Sequence, residues 1–272
     1  MLLAALVPHP PLILPSVGRG SEAGVAATAA AYRRLAAEIT AAAPETIVVI
    51  SPHAEGYADA WRLSDGDGTG RLRGDMAAFR APETCLSWPI DRPLNDAIVR
   101  ATAQDPLPAV ADHRRHDSFD HGTFIPLYFL HETGLRDAGL VRIAYTRAGT
   151  EAARAFGAAL AAAINTSGRR IVLIASGDLS HRLLADGPYG YDPAGPLFDQ
   201  KVQDAVTANR PQDFLAIGHR LAERAGHCGL TALEILAGYL LAAGPWQGES
   251  ELYSYEGPYG VGYAVAAFRQ ED

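Results

Sequence analysis

Short strand-length apolar runs alternate with long alanine-rich segments along this chain, and that alternation limits the possible folds more than any other feature. The runs Leu2–Val7, Thr46–Ile50, Leu140–Tyr145 and Ile171–Ala175 read as strands. Val25–Ala43 and Glu151–Ile164 are rich in Ala and Leu, which favour helix, and Pro44 and Gly168 follow them as stops. Strands interleaved with helices predict a mainly parallel sheet covered on both faces. The expected fold class is therefore α/β: a single domain over residues 1–272 with a central mixed, mostly parallel sheet flanked by helices on both faces. No repeat, low-complexity tract or linker composition divides the chain.

Other segments are read from their local pattern. The stretch from His53 to Trp88 is rich in Gly and Asp and predicts a hairpin or edge strands, with Trp61–Leu63 as one candidate. Pro93–Ala103 predicts a helix, Arg114–Gly122 a polar loop and Phe124–Glu132 a short apolar helix. Pro196–Asn209, Asp213–Ala225 and Leu230–Ala242 also read as helices, and residues 260–268 as a closing strand.

Composition excludes several classes. The net charge is −8 and no basic run of five residues occurs, which argues against a nucleic-acid surface. With 48% hydrophobic and 20% charged residues, the chain can bury a substantial core. No apolar stretch approaches the ~20 residues of a membrane span. The N-terminal segment lacks a basic region and a cleavage site, so it reads as a first strand rather than an export signal. With Cys85 and Cys228 the only cysteines, a cytoplasmic location is expected.

Chemistry concentrates in four histidines. His9 ends the first run in Val-Pro-His-Pro-Pro, His53 the second in Ile-Ser-Pro-His, and His181 follows the fourth in Ser-Gly-Asp-Leu-Ser-His. His121 sits in Asp-His-Gly before an apolar stretch, close to His113, His116 and Asp117. Any one of these reads as a loop histidine. Three at strand ends point to a metal site, because open α/β sheets bind ligands beyond the carboxyl ends of their strands. His9 and His53 are the best ligand pair, since imidazole suits Fe, Zn, Cu and Ni, and the adjoining prolines stiffen the backbone that presents them. Asp178 and His181 share one turn, where the histidine can move protons and the carboxylate can orient a ring, bind metal or cap a helix. Cys228, just before the helix at Leu230, is a further donor whose thiolate the helix start would favour. Glu234 competes with it but lies six residues on, about 9 Å along the axis. His131 and His219 fall on predicted helices and read as surface or core residues.

Taken in order, Pro-His-Pro (His9), Ser-Pro-His (His53), Asp-His-Gly with Ile-Pro-Leu after it (His121), Gly-Asp-Leu-Ser-His (His181) and a closing Gly-Val-Gly-Tyr resemble the class III extradiol ring-cleaving dioxygenases, the LigB-type superfamily, and the related Memo proteins. The resemblance spans nearly the whole chain. It implies a non-haem Fe(II) site, with Zn or Cu as alternatives, that cleaves a catechol-like ring with O2. His9 and His53 match the two histidine ligands, His181 the acid/base histidine and His121 a second pocket histidine. The dioxygenases complete the set with a glutamate opening the last long helix. Cys228 stands in that place here, as a cysteine does in the Memo branch, while Glu234 would restore the carboxylate if the helix started late. The implied partners are a small aromatic substrate and O2, with no nucleic acid and no membrane; a homo-oligomer is left open. The rival reading is a Memo-like metal protein without dioxygenase activity that acts through partner binding or redox chemistry.

Overall fold

The computed structural model describes residues 2–114, 117–146 and 148–270. The strands are β1 (Leu2–Val7), β2 (Thr46–Ser51), β3 (Trp61–Ser64), β4 (Arg71–Met76), β5 (Ala81–Pro89), β6 (Ala109–Asp112), β7 (Gly139–Ala144), β8 (Ile171–Ser176), β9 (Glu249–Glu256) and β10 (Tyr263–Gln270). The helices are α1 (Pro15–Gly18), α2 (Ala26–Ala41), α3 (Arg92–Ala101), α4 (His121–Glu132), α5 (Thr150–Ser167), α6 (Ala194–Thr207), α7 (His219–Ala225) and α8 (Leu230–Leu240). Eight strands form one sheet in the order β6-β3-β7-β2-β8-β1-β10-β9, and β4 and β5 form a separate hairpin. β7, β2, β8 and β1 run parallel to one another, β10 pairs antiparallel with β1, and β3 pairs antiparallel with β7. The fold is thus the expected α/β class.

Alternate residues of each strand feed two cores. Ala4, Leu6, Val48, Ile50, Leu173 and Ala175 face α5, α8, α6 and α3. Leu3, Ala5, Val7, Ile47, Val49 and Ile174 face α2, α4 and the β4–β5 hairpin. β2 and β8 are buried along their whole length, which is why they read as continuous apolar runs rather than as alternating ones. The four central parallel strands end on one edge, and His9, His53 and the Gly177–His181 loop leave from it.

Some expectations are corrected. Asp213–Ala225 is not one helix: a 3-10 turn over Pro211–Ala216 is followed by Gly218 at φ 84°, and α7 starts afresh at His219. Trp61 belongs to a strand inside the sheet, between β6 and β7, rather than at its edge. β6 and β9 carried no legible strand pattern. The apolar helix begins at His121 rather than Phe124, capped by Asp120, whose side chain accepts from the Thr123 amide. Among the described residues no helix is long and apolar enough to cross a membrane.

Candidate metal centre and its cleft

His9 leaves β1 as a buried side chain, 1% exposed. Its position is fixed by a chain of hydrogen bonds that begins at a proline. Pro126 lies within α4 and has no N–H to give the Gly122 carbonyl four residues back. The Ser176 hydroxyl donates to that carbonyl instead, at 2.6 Å. A hydroxyl has one proton, so at His9 Nδ1, 2.8 Å away, Ser176 Oγ must accept. The proton of the neutral His9 ring therefore sits on Nδ1, and Nε2 is a bare lone pair.

That lone pair faces His53 Nε2 at 3.1 Å and Cys228 Sγ at 3.4 Å. The three donor atoms lie within 4.8 Å of one another. Ligand edges in a tetrahedral site with two imidazoles and one thiolate are about 3.3 Å for N···N and about 3.6 Å for N···S, from bond lengths of about 2.05 and 2.3 Å. The two spacings from His9 Nε2 are within about 0.2 Å of these, and all three donors lie within 4.8 Å of one another, a donor set suited to a divalent ion.

Each donor arrives by its own route. Ser51, at the end of β2, donates to Asp120 and accepts from the His53 amide, tying the His53 turn to the start of α4. His121, the first residue of α4, stacks on His53 with ring centroids 4.1 Å apart and lies edge-on to His9 at 5.2 Å. Gly122 is needed there, since a Cβ would lie 2.4 Å from Ser51 Oγ. Cys228 reaches the site because two glycines let the loop after β8 touch the turn before α8: a Cβ on Gly177 would sit 2.4 Å from Gly229 Cα. Across that contact the Asp178 amide donates to Cys228 Sγ at 3.2 Å, and Asp178 Oδ1 accepts the His9 amide at 2.7 Å. Asp178, His181 and Cys228 form a second group of donors within 4.8 Å. The segment holding Asp178 and His181 stays irregular, so neither Asp178 nor Ser180 caps a helix.

Burial sets the protonation of the site. It pushes His9 well below the ordinary histidine range, with His53, His121 and His181 adding to the effect. It also lowers His53 and takes His121 and His181 down to about 4. All four rings are neutral near pH 7. His181 Nε2 is buried without a hydrogen-bond partner. Burial moves Asp178 up to about 7. The expected thiolate at Cys228 is corrected: burial first, then the nearby Asp178 carboxylate, push the thiol up. The Asp178 amide offsets this only in part, and the Leu230 amide at the helix start is given to His227 Nδ1 at 3.0 Å rather than to the sulfur. Metal binding would itself have to displace the thiol proton.

Glu234 does not join these groups. It is buried on α8, one helical turn past Thr231, with its Oε1 accepting from Thr150 Oγ1 at 2.7 Å and lying 3.2 Å from His219 Nε2. The helix starts at Leu230, so the late start that would bring Glu234 to the ion does not occur. His116 lies outside the described residues. Sequence reasoning missed Ser176, whose signal was its place between β8 and Gly-Asp, and His219, which proves to line the cleft beside the centre. That cleft has a volume of about 540 Å³ and runs from His53, Tyr145 and Cys228 to His219 and Glu223. A substrate-sized ligand needs about 300–1,000 Å³.

Residues 3–266 match the family described as the catalytic LigB subunit of aromatic ring-opening dioxygenase. The chain is 32% identical over 267 residues to protein CA_C1420 of Clostridium acetobutylicum, covering 96% of this chain and 56% of that protein. It thus spans about half the length of that curated relative. A crystal structure of protein JW3007 from Escherichia coli K12 is similar with a TM-score of 0.65 and 16% identity, covering 98% of this chain and 99% of the other. At that identity the likeness concerns the fold alone.

Proposed function

Because the chain belongs to the LigB family of aromatic ring-opening dioxygenase catalytic subunits, we propose that it opens a catechol-like ring with O2 at a non-haem Fe(II) site held by His9, His53 and Cys228. The observation that carries this reading is the convergence of His9 Nε2, His53 Nε2 and Cys228 Sγ at ligand spacing, beside a partnerless His181 Nε2 and at one end of a cleft. A bound Fe(II) would supply the Lewis acidity that gathers the two hydroxyls and dioxygen. The protein's share is proton handling and orientation. His181 Nε2, neutral at pH 7, takes a proton from a substrate hydroxyl and returns it to the product. His121, stacked on His53 and edge-on to His9, serves as a second pocket histidine beside the metal ligands. Asp178 fixes the His9 backbone and holds the sulfur through its own amide.

Cys228 also favours a second reading. Oxygenases of this kind use two histidines and one carboxylate, and a thiolate in place of the carboxylate suits a Memo-like redox or binding role without ring cleavage. Anaerobic loading with Fe(II), followed by oxygen uptake in the presence of simple catechols, separates the two. The dioxygenase reading expects one O2 consumed per ring opened. It also expects His181→Ala to keep its iron while losing at least about a hundredfold in rate. Iron-loaded protein that leaves every catechol intact favours the second reading.

A further inference from the structure

Beyond the candidate metal centre the cleft has a second polar wall, formed by His219, Glu223 and Thr231. His219 opens α7, and Glu223 follows one turn later on the same face. Behind them is Glu234, 1% exposed. Thr150 Oγ1 gives its single proton to Glu234 Oε1, while His219 Nε2 lies 3.1 Å from Thr150 Oγ1 and 3.2 Å from Glu234 Oε1. With Glu234 ionised, both neighbours only accept, and the neutral ring then carries its proton on Nε2. His219 Nδ1 is then a bare acceptor on a side chain 45% exposed. Glu234 Oε2 has no hydrogen-bond partner, and neither it nor His219 is used by the ring-opening chemistry. The described residues that line the cleft include no lysine or arginine, and Glu223 supplies a formal negative charge. Two acceptors, His219 Nδ1 and the Glu223 carboxylate, with the buried Glu234 behind them favour a donor of positive charge and disfavour an anion.

We propose that this wall is a recognition site for a primary ammonium group on a short arm of the substrate, with His219 Nδ1 and the Glu223 carboxylate accepting its N–H bonds while Glu234 and Thr150 hold the imidazole in place. The inference rests on the reading of the metal centre as the aromatic end of the same cleft, and it names the substrate class as basic-armed catechols.

The test uses anaerobic Fe(II)-loaded protein and three probes: an aminoethyl-substituted catechol, its carboxyethyl counterpart, and phenethylamine, which has the ammonium arm but no hydroxyls. Calorimetry is expected to show the aminoethyl catechol binding about tenfold or more tightly than the carboxyethyl one, as a charge-assisted hydrogen bond implies. His219→Ala or Glu223→Gln is expected to bring that ratio towards one. Phenethylamine is expected to shift the His219 ring signals in NMR spectra of the metal-free protein. Glu234 is a positioning residue, so Glu234→Gln is expected to turn the nitrogen-15 signature of His219 from the Nε2–H tautomer into a mixture, which a purely structural role would not do. Catechols bound without regard to the charge of the arm overturn the inference and leave the proposed function standing. Phenethylamine and the aminoethyl catechol bound equally tightly, both lost with His219→Ala, and no ring opened overturns the proposed function and leaves the ammonium site standing without its catechol substrate class. A protein that binds none of the three overturns both.

Discussion

At the scale of single residues, the site depends on where one proton sits. Pro126 frees the Gly122 carbonyl, Ser176 is drawn to it, and His9 is left with a bare Nε2. Ser176→Ala removes the partner that fixes this tautomer, and partners of that kind are worth about 10–100-fold in metal affinity. We expect a loss of that size in an Fe(II) titration, with secondary structure unchanged; an unaltered affinity would refute the tautomer argument. His9→Ala and His53→Ala are expected to abolish stoichiometric iron, read by metal analysis of folded protein. Cys228→Ala is expected to weaken iron binding strongly, whereas Glu234→Ala, which removes a carboxylate occupied with Thr150 and His219, is expected to leave it nearly intact. The candidate ligand histidines, His9 and His53, stand out in the sequence because proline and a strand end mark them. Ser176 was not, because its role depends on a carbonyl made available by a proline fifty residues away in another element.

At the scale of elements, loops are delivered by close contacts and buried charges. Gly177 and Gly229 meet where no side chain fits, so Gly177→Ala forces the β8 loop away from Cys228. We expect a cost of about 1–3 kcal/mol from overpacking, seen in urea denaturation, together with weaker iron binding. The loop leading to His121 is held by two arginines inside the sheet. Arg142 of β7 donates to the Ser118 carbonyl and pairs with Asp117 Oδ1 at 2.5 Å, and Arg62 of β3 pairs with Asp117 Oδ2 at 2.8 Å. Breaking a buried pair by removing one partner costs about 3–5 kcal/mol. Asp117→Ala should therefore destabilise by that order and loosen His121; a near-neutral result would show that the arginines find water or other partners. The central strands and long helices were readable from composition and period. β6, β9 and the split before α7 were not: four residues are too few for a pattern, β9 is half-buried along its length, and Gly218 breaks a run that otherwise reads as helical.

At the scale of the whole molecule, four neutral histidines gathered at one sheet edge link stability to pH. His121 and His181 titrate at about 4 in the folded chain against about 6.5 when unfolded. The unfolded chain thus binds more protons between those values, and their contribution, complete above about pH 6.5, is lost as the pH falls to about 4. Asp178 acts in the opposite sense. Raised to about 7 from its ordinary value near 3.9, it favours the folded state at low pH and loses that contribution as the pH rises towards 7. Metal-free protein is therefore expected to show a Tm that falls from pH 6.5 to 4, and Asp178→Asn to make the fall steeper; a flat profile would contradict the protonation states assigned to the site. The whole account turns on which atoms hold the metal. The most direct measurement is X-ray absorption at the iron edge of anaerobic Fe(II)-loaded protein, wild type beside Cys228→Ala. The account predicts a sulfur scatterer at about 2.3 Å with a nitrogen shell at about 2.1 Å, and loss of the sulfur in the variant. A first shell of nitrogen and oxygen alone, unchanged by Cys228→Ala and abolished by Glu234→Ala, would contradict it.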